Sequence, residues 1–434
     1  MKKSLLFCIS LMVLASCQND VTLAEQDPAS VEAESRYNAN ELRAIGTAKS
    51  FISSFASTTR SGEAKEVGDV YPWLSSDLFP ATTRSASDEL PDTLLYIVNF
   101  KDSEGYVLVH SQDSIGSILA YVEEGHLAPT DDIDPESGFS FFLDRLQYLR
   151  PDPLNPFPDD STNLHGPDPV NPFNPDPPIP EEIGSWRVDS IIPYLVQTKW
   201  GQKTPYCDFC FTNTGAQALA GCVPVALAQV VAFHQFPSSA CGHTYYWSDI
   251  LSGTSPQTST GRTSVAHLVH DIGVLAGTTY GVESSGTTES GKANCLNALG
   301  YHYSYSPYSF STCMQEFASG RPVVIGGYDS QLHNYAGHCW VVDGGLIRGY
   351  YEPRASLEGE GTGTVMVRSD EQLLIHCNWG ADGKYNGYFL SDNFELANKV
   401  LDDNLGEPTD SVTENYNFDF YIRIFHEIYP QTNN

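Results

Sequence analysis

Positive charge is scarce. The 434 residues contain 23 Lys and Arg against 54 Asp and Glu, a formal net charge of −31. Nucleic-acid binding needs basic patches to meet phosphates, so that class is excluded as a partner. Long apolar runs are also missing. After the N-terminus no stretch of about 20 apolar residues could span a bilayer as a helix. No internal repeat recurs, which removes solenoids and propellers. Cysteine is missing between Cys17 and Cys207. Apolar residues still make up 41% and aromatics 12% of the chain, enough for a globular core. The length leaves room for two or three domains.

The N-terminus reads "MKKSLLFCISLMVLASCQND". Lys2 and Lys3 precede a short apolar stretch, Ser4 to Val13, and small residues lead to Cys17. This is an export signal, too short for a mature span. Its end resembles the lipobox of bacterial lipoproteins. The resemblance implies that residues 1–16 are removed and Cys17 is lipidated, anchoring an exported chain to a bacterial membrane that faces the periplasm or cell surface. A plain secretory signal is the alternative. Residues 17–36 read as a polar tether.

Residues 37–128 read as a small α+β module. "NANELRAIGTAKSFISSF" has apolar residues near one helical face, and "LLYIVNF" and "YVLVH" flank "KDSEG" as a hairpin with Gly105 in the turn. Residues 129–187 are dense in proline and aspartate, for which we expect an extended, exposed, cleavable linker. From residue 188 to about 430 an early helix gives way to strand-like runs at 321–328, 337–345, 363–369, 373–380 and 385–392. Helix first and antiparallel strands later indicate an α+β class with segregated layers.

Cys222 opens the helical "CVPVALAQVVAF", after Gly221. A helix N-terminus lowers a thiol's pKa, so Cys222 is a candidate nucleophile. Cys222, Ala226 and Val230 also share a helical face, which suits a buried core thiol equally. His338 starts an apolar strand where a base could project. Asn378 and Trp379 end another strand, where an amide could accept from the imidazole Nδ1–H and an indole could shield that bond. Gln202 could join the Cys222 amide as an oxyanion donor. Against a core thiol stands the order Gln202, Cys222, His338, Asn378. A zinc site from Cys207, Cys210, Cys241 and His243 is a rival reading, with disulfides or free thiols as its alternative.

That order is similar to papain-like cysteine peptidases. The blocks "TKWGQKTPY", "GCVPVALAQVVAFHQFP", "RPVVIGGY", "GHCWVVDGG" and "NWGADGKYNGYF" resemble the streptopain family of secreted bacterial peptidases, and "YIVNFKDSEGYVLVHSQDSIGSILAYVEEGHL" resembles its propeptide. The resemblance implies a papain-like two-subdomain catalytic domain over 188–430 behind a prodomain over 37–128. It implies a zymogen that acts on proteins or peptides without a cofactor or metal, held inactive by its own prodomain. The implied roles are Cys222 as nucleophile, His338 as base and acid, Gln202 as oxyanion donor, and Asn378 with Trp379 supporting His338. This chain carries Pro224 and Cys339 where that family usually has alanine. Rival classes are a peptidase-like surface binding or inhibitor protein, and another Cys-His enzyme such as a peptidoglycan amidase or transglutaminase.

Overall fold

A computed structural model describes residues 36–59, 65–78, 92–111, 117–134, 137–146, 184–329, 337–355, 364–394 and 420–431. The signal, Cys17, the tether and most of the Pro-rich linker lie outside the described residues.

The N-terminal module is a helix on a small sheet. Helix α1 (Ala39–Thr59) buries Ala44, Ala48, Phe51 and Phe55. Strands β1 (Val67–Leu74), β2 (Thr93–Phe100), β3 (Tyr106–His110) and β4 (Ile118–Val122) follow as an antiparallel meander. The hairpin expected at "KDSEG" forms between β2 and β3, and Gly105 takes φ +97° in its turn. Both faces of β2 are covered. Tyr96, Val98 and Phe100 pack under α1, whereas Leu95 and Ile97 face the opposite core.

The module continues further than expected. Within 129–187, read as an extended spacer, Gly138–Arg145 forms helix α2. Ser137 caps it by accepting from the Ser140 amide, and Phe139, Phe142 and Leu143 are buried. Those apolar residues at helical spacing precede the densest proline run, so proline does not interrupt the helix. On the far side, β5 (Ser185–Ile192) begins before the expected boundary at 188.

The second half has helices α3 (Cys222–His234), α4 (Ser259–Leu275) and α5 (Glu289–Ala298), then strand β6 (Tyr301–Pro307), helix α6 (Phe310–Ala318) and strands β7 (Val323–Asp329), β8 (Gly337–Ala355), β9 (Thr364–Asn378), β10 (Gly387–Leu390) and β11 (Phe420–Pro430). The runs 363–369 and 373–380, read as separate strands, are one long strand, β9. A register shift opposite Tyr350 and Tyr351 accommodates the polar residues between them. Helix α3 is buried from Val223 to Ala232 because it is apolar on every side. Each such Val or Leu contributes about 1.5–3 kcal/mol relative to exposure.

The eleven strands β1 to β11 of both halves form one sheet, in the order β1-β2-β3-β4-β10-β9-β8-β7-β11-β6 with β5 on β8, and a two-residue hairpin, Ser239–Ala240 with His243–Thr244, stands apart from it. The seam is β4 against β10, where Tyr121 faces Tyr388 and Ala120 faces Phe389. Alternation along β8 splits the second half's core. Trp340 and Val342 point to the side that α2 covers, and Cys339 and Val341 point to α3. The mixed helix and antiparallel-sheet class expected from the sequence is the class observed.

Candidate active site

The site forms where the head of α3 meets the start of β8. Gly221 caps α3 with φ +92°, a conformation that L side chains rarely adopt. The first helical bond runs from the Val225 amide to the Gly221 carbonyl at 3.2 Å. Pro224 sits in the first turn, where its missing N–H costs no helical bond. Cys222 is thus held at a helix N-terminus, half-buried, while the helix behind it is fully enclosed.

His338 comes from the next layer. It is 7% exposed and lies across from Gly327 in the β7–β8 ladder. Its Nε2 is 3.2 Å from the Trp379 carbonyl. A carbonyl can only accept, so Nε2 carries a proton and Nδ1 is left with the lone pair. The Cys222 thiol is hydrogen-bonded to this imidazole. Burial pushes the Cys222 thiol up, but His338, the Cys339 amide and Lys292 outweigh it and hold it below its ordinary value. Burial likewise pulls His338 down, and the Cys222 sulfur, the Trp379 carbonyl and Asp134 outweigh that and hold the imidazole above its ordinary value. Each partner stabilises the charged form of the other.

Asn378 does not perform the expected task. Its Nδ2 donates to the Thr198 carbonyl at 2.7 Å and to Gln229 Oε1 at 3.1 Å, and its Oδ1 accepts from Gln229 Nε2 and the Gly380 amide, both at 3.3 Å. Thr198 Oγ1 closes the network on Gln229 Oε1 at 2.9 Å. The alternation that turns His338 toward Trp379 leaves Asn378 facing α3. The imidazole is therefore oriented by a main-chain carbonyl on Nε2, not by an amide side chain on Nδ1. Asn378 instead ties the end of β9 to the middle of α3. Gln229 and Thr198 were not singled out from the sequence. A glutamine on an otherwise apolar helix was the available signal.

Trp379 is where the sequence placed it, beside the imidazole. Its indole N–H donates to the Tyr385 carbonyl at 3.0 Å, and its ring packs 5.0 Å from Trp340. Gln202 is half-buried, and its carbonyl accepts from the Ala220 amide at 2.9 Å. That bond fixes its segment alongside the lead-in to Cys222. The adjacent Gly201 has no room for a Cβ, since the Asp382 carboxylate fills that space.

Helix α2 covers the site. A Cβ on Gly138 would overlap both the Trp379 ring and His338 Cδ2. Phe141 fills the space above Gly327, with its ring 5.8 Å from Trp340. The first half of the chain thus rests directly on the imidazole.

The zinc rival does not assemble. Cys207 and Cys210 are buried in the α3 core cluster and Cys241 is exposed. Among the described residues no group of three His, Cys, Asp or Glu could hold a metal, and all eight described cysteines are free thiols. Likewise, no described helix is long and apolar enough to cross a membrane.

Comparison with known proteins agrees with this geometry. Residues 200–254 and 240–389 match the peptidase C10 family, and residues 38–148 match the Spi protease inhibitor family. The thiol protease/hemagglutinin PrtT of Porphyromonas gingivalis is 23% identical over 344 residues, 69% of this chain and 34% of that protein. Streptopain of Streptococcus pyogenes is 22% identical over 211 residues, 40% of this chain and 52% of that protein. The chain thus spans between a third and about half of the length of these relatives. Among solved structures, a prointerpain A fragment of Prevotella intermedia covers 79% of this chain and 98% of its own at 20% identity, with a TM-score of 0.48. Active interpain A covers 56% of this chain and 96% of its own at 22% identity, with a TM-score of 0.37. The inhibitor match ends at 148, so it takes in α2 and passes the boundary expected at 128. These two matches stand in succession, so a segment similar to the Spi protease inhibitor family precedes a segment similar to the peptidase C10 family, the family type of streptopain-like cysteine peptidases.

Proposed function

We propose that this chain is an exported, lipid-anchored cysteine endopeptidase made as a zymogen. The observation that carries the reading is the Cys222–His338 pair at the head of α3, with Nε2 fixed on the Trp379 carbonyl. Nδ1 of His338 takes the thiol proton, and the Cys222 thiolate attacks the scissile carbonyl. The developing oxyanion is stabilised by the Cys222 amide at the helix head and by the Gln202 side chain. The imidazolium returns its proton to the leaving amine, and an acyl-enzyme remains on Cys222. A water then gives its proton to His338 and releases the acid. Trp379 shields the imidazole, and Asn378 holds the strand end that presents the Trp379 carbonyl.

Latency follows from the position of α2. A substrate must reach His338 and Trp379, and Gly138 already touches both. Activation therefore requires α2 to leave. Cleavage in the linker, at about 170–190, would release it. Cys222→Ala should abolish peptide hydrolysis and labelling by an epoxide thiol trap. It should also stop self-processing, read by N-terminal sequencing of incubated wild type and variant. Full residual hydrolysis in the variant would sink the assignment.

The anchoring part of the reading is supported by the N-terminal charge, apolar run and Cys17 alone. Wild type should partition into detergent and carry a lipid on its first mature residue, whereas Cys17→Ser should stay in the aqueous phase. Equal partitioning of the two would refute the lipid anchor.

A further inference from the structure

Cys339 is a buried thiol that peptide hydrolysis does not use. It follows His338 in β8, so its side chain leaves the opposite face of the strand. That face packs on α3. Cys339 shares one apolar cluster with Val223, Val225 and Ala226, and Cys222 packs against the same cluster. The Cys339 backbone amide donates to the Cys222 sulfur. The two cysteines therefore lie on one apolar cluster at the head of α3, within electrostatic reach of each other.

A cation stands on the same side. Lys292 of α5 is 2% exposed, and its ammonium pairs with Glu289 at 2.5 Å. The ammonium lies 2.7 Å from the point that a Cβ on Gly326 would occupy, and the His338 carbonyl lies 3.9 Å from that point. Gly326 is directly opposite Cys339 in the β7–β8 ladder, where facing Cβ positions are about 5 Å apart. The positive charge thus falls on both sulfurs.

We infer that Cys339 is the resolving thiol for Cys222, so that oxidation of the nucleophile by a peroxide ends in a reversible Cys222–Cys339 disulfide. The inference rests on Cys222 being the nucleophile. In the first step the Cys222 thiolate attacks the O–O bond of hydrogen peroxide. An S–O bond forms, hydroxide leaves, the sulfur is oxidised by two electrons and the peroxide is reduced. In the second step the Cys339 sulfur attacks the Cys222 sulfur. The S–S bond forms, the S–O bond breaks, and the leaving hydroxide takes the Cys339 proton as water. A dithiol returns two electrons and restores both thiols.

The electrostatics favour this order. Burial pushes the Cys339 thiol up, Lys292 pulls it down, and the Cys222 thiolate pushes it up again. A neutral sulfenic acid on Cys222 removes that repulsion and leaves the attraction of Lys292. Cys339 is therefore easier to ionise once Cys222 has been oxidised. Cys222 is half-buried and open to a small oxidant, whereas Cys339 is 2% exposed and spared direct attack.

The test starts from the full chain, incubated until it has processed itself and then reduced, which is titrated with hydrogen peroxide and divided, with one half returned to dithiothreitol. Cys339→Ala and Cys339→Ser are treated alike, and each is normalised to its own unoxidised activity. A non-reducing peptide map of wild type should contain a cross-linked Cys222–Cys339 peptide, and dithiothreitol should restore the starting activity. Both variants should carry sulfinic or sulfonic acid on Cys222 and stay inactive after reduction. Because serine keeps the size of the side chain, agreement between the variants separates loss of the thiol from loss of packing. Sulfinic acid on Cys222 of wild type beside a free Cys339 thiol overturns the inference. So does a Cys222 disulfide to any other cysteine. Alkylating Cys222 before oxidation tests the premise separately, since hydrolysis surviving complete alkylation refutes the nucleophile while the peptide map still reads the sulfur chemistry.

Discussion

At the scale of the residue, the opposed shifts of Cys222 and His338 set the working pH. Cys222 is held below its ordinary 9.0, so its thiolate is present above the lowered value and lost as pH falls through it. His338 is held above its ordinary 6.5, so its imidazolium is present below the raised value and lost as pH rises through it. The ion pair exists between these limits, and hydrolysis should fall on both sides. Iodoacetamide gives a direct readout. Alkylation of Cys222 should reach its plateau well below pH 9, and His338→Ala should move that plateau upward. Cys241 offers a comparison within the chain, because burial and then Asp271 hold that exposed thiol above its ordinary value. A Cys222 profile matching that of Cys241 would refute the ion pair. The residue types were legible in the sequence, but the partner atoms were not. The expectation that Asn378 orients His338 came from their order along the chain. Only the facing of β9 shows that Asn378 bonds Gln229 and Thr198 while the Trp379 carbonyl holds the ring.

At the scale of the element, the proposed latency rests on α2. It is a helix of 8 residues, too short to be stable alone, and it is held by burial of Phe139, Phe142 and Leu143. Its first residue is glycine because the helix start approaches Trp379 and His338 without room for a side chain. Gly138→Val should force α2 away from the imidazole. In the uncleaved chain this variant should label with an epoxide trap several-fold faster than wild type and process itself sooner. Labelling no faster than wild type would show that α2 does not guard the site. The helix was hidden in the sequence because its residues stand next to the Pro-Asp run, whose composition dominates any window drawn across both. Helix α3 was the opposite case. Its apolar length, glycine cap and proline in the first turn each pointed to a helix starting at Cys222.

At the scale of the whole molecule, the seam between halves is a run of main-chain pairing between β4 and β10. Just past it, Glu123 meets Lys65 and Glu124 of the first half and His376 and Lys199 of the second. Lys199 and Glu124 pair across the halves at 2.5 Å, a partly exposed contact of about 0.2–1 kcal/mol. Burial raises the Glu123 carboxyl above its ordinary value, against the pull of His376 and Lys65. A carboxyl with a raised folded value contributes stability that is full below the unfolded value and lost as pH rises through the folded one. Glu123→Gln should therefore raise the melting temperature of the full chain at pH 7, with the gain vanishing in acid. A gain that persists unchanged in acid would mean that ionisation of Glu123 is not the cause. No sequence signal marked this seam, because β4 reads as an ordinary strand and its partner lies more than 260 residues away.

The sequence by itself determined the class of the fold, the helix that opens at Cys222 and the hairpin of the first half, and it singled out the thiol and the imidazole that the structure brings together. These follow from local periodicity, capping and residue chemistry, which operate over a few neighbours. Tertiary structure decided which atom orients His338, that α2 lies on the site, that both halves share one sheet, and that Cys339 and Lys292 stand behind the nucleophile. Those facts depend on strand facing and on pairings between distant segments, and neither is encoded in the spacing of residues along the chain.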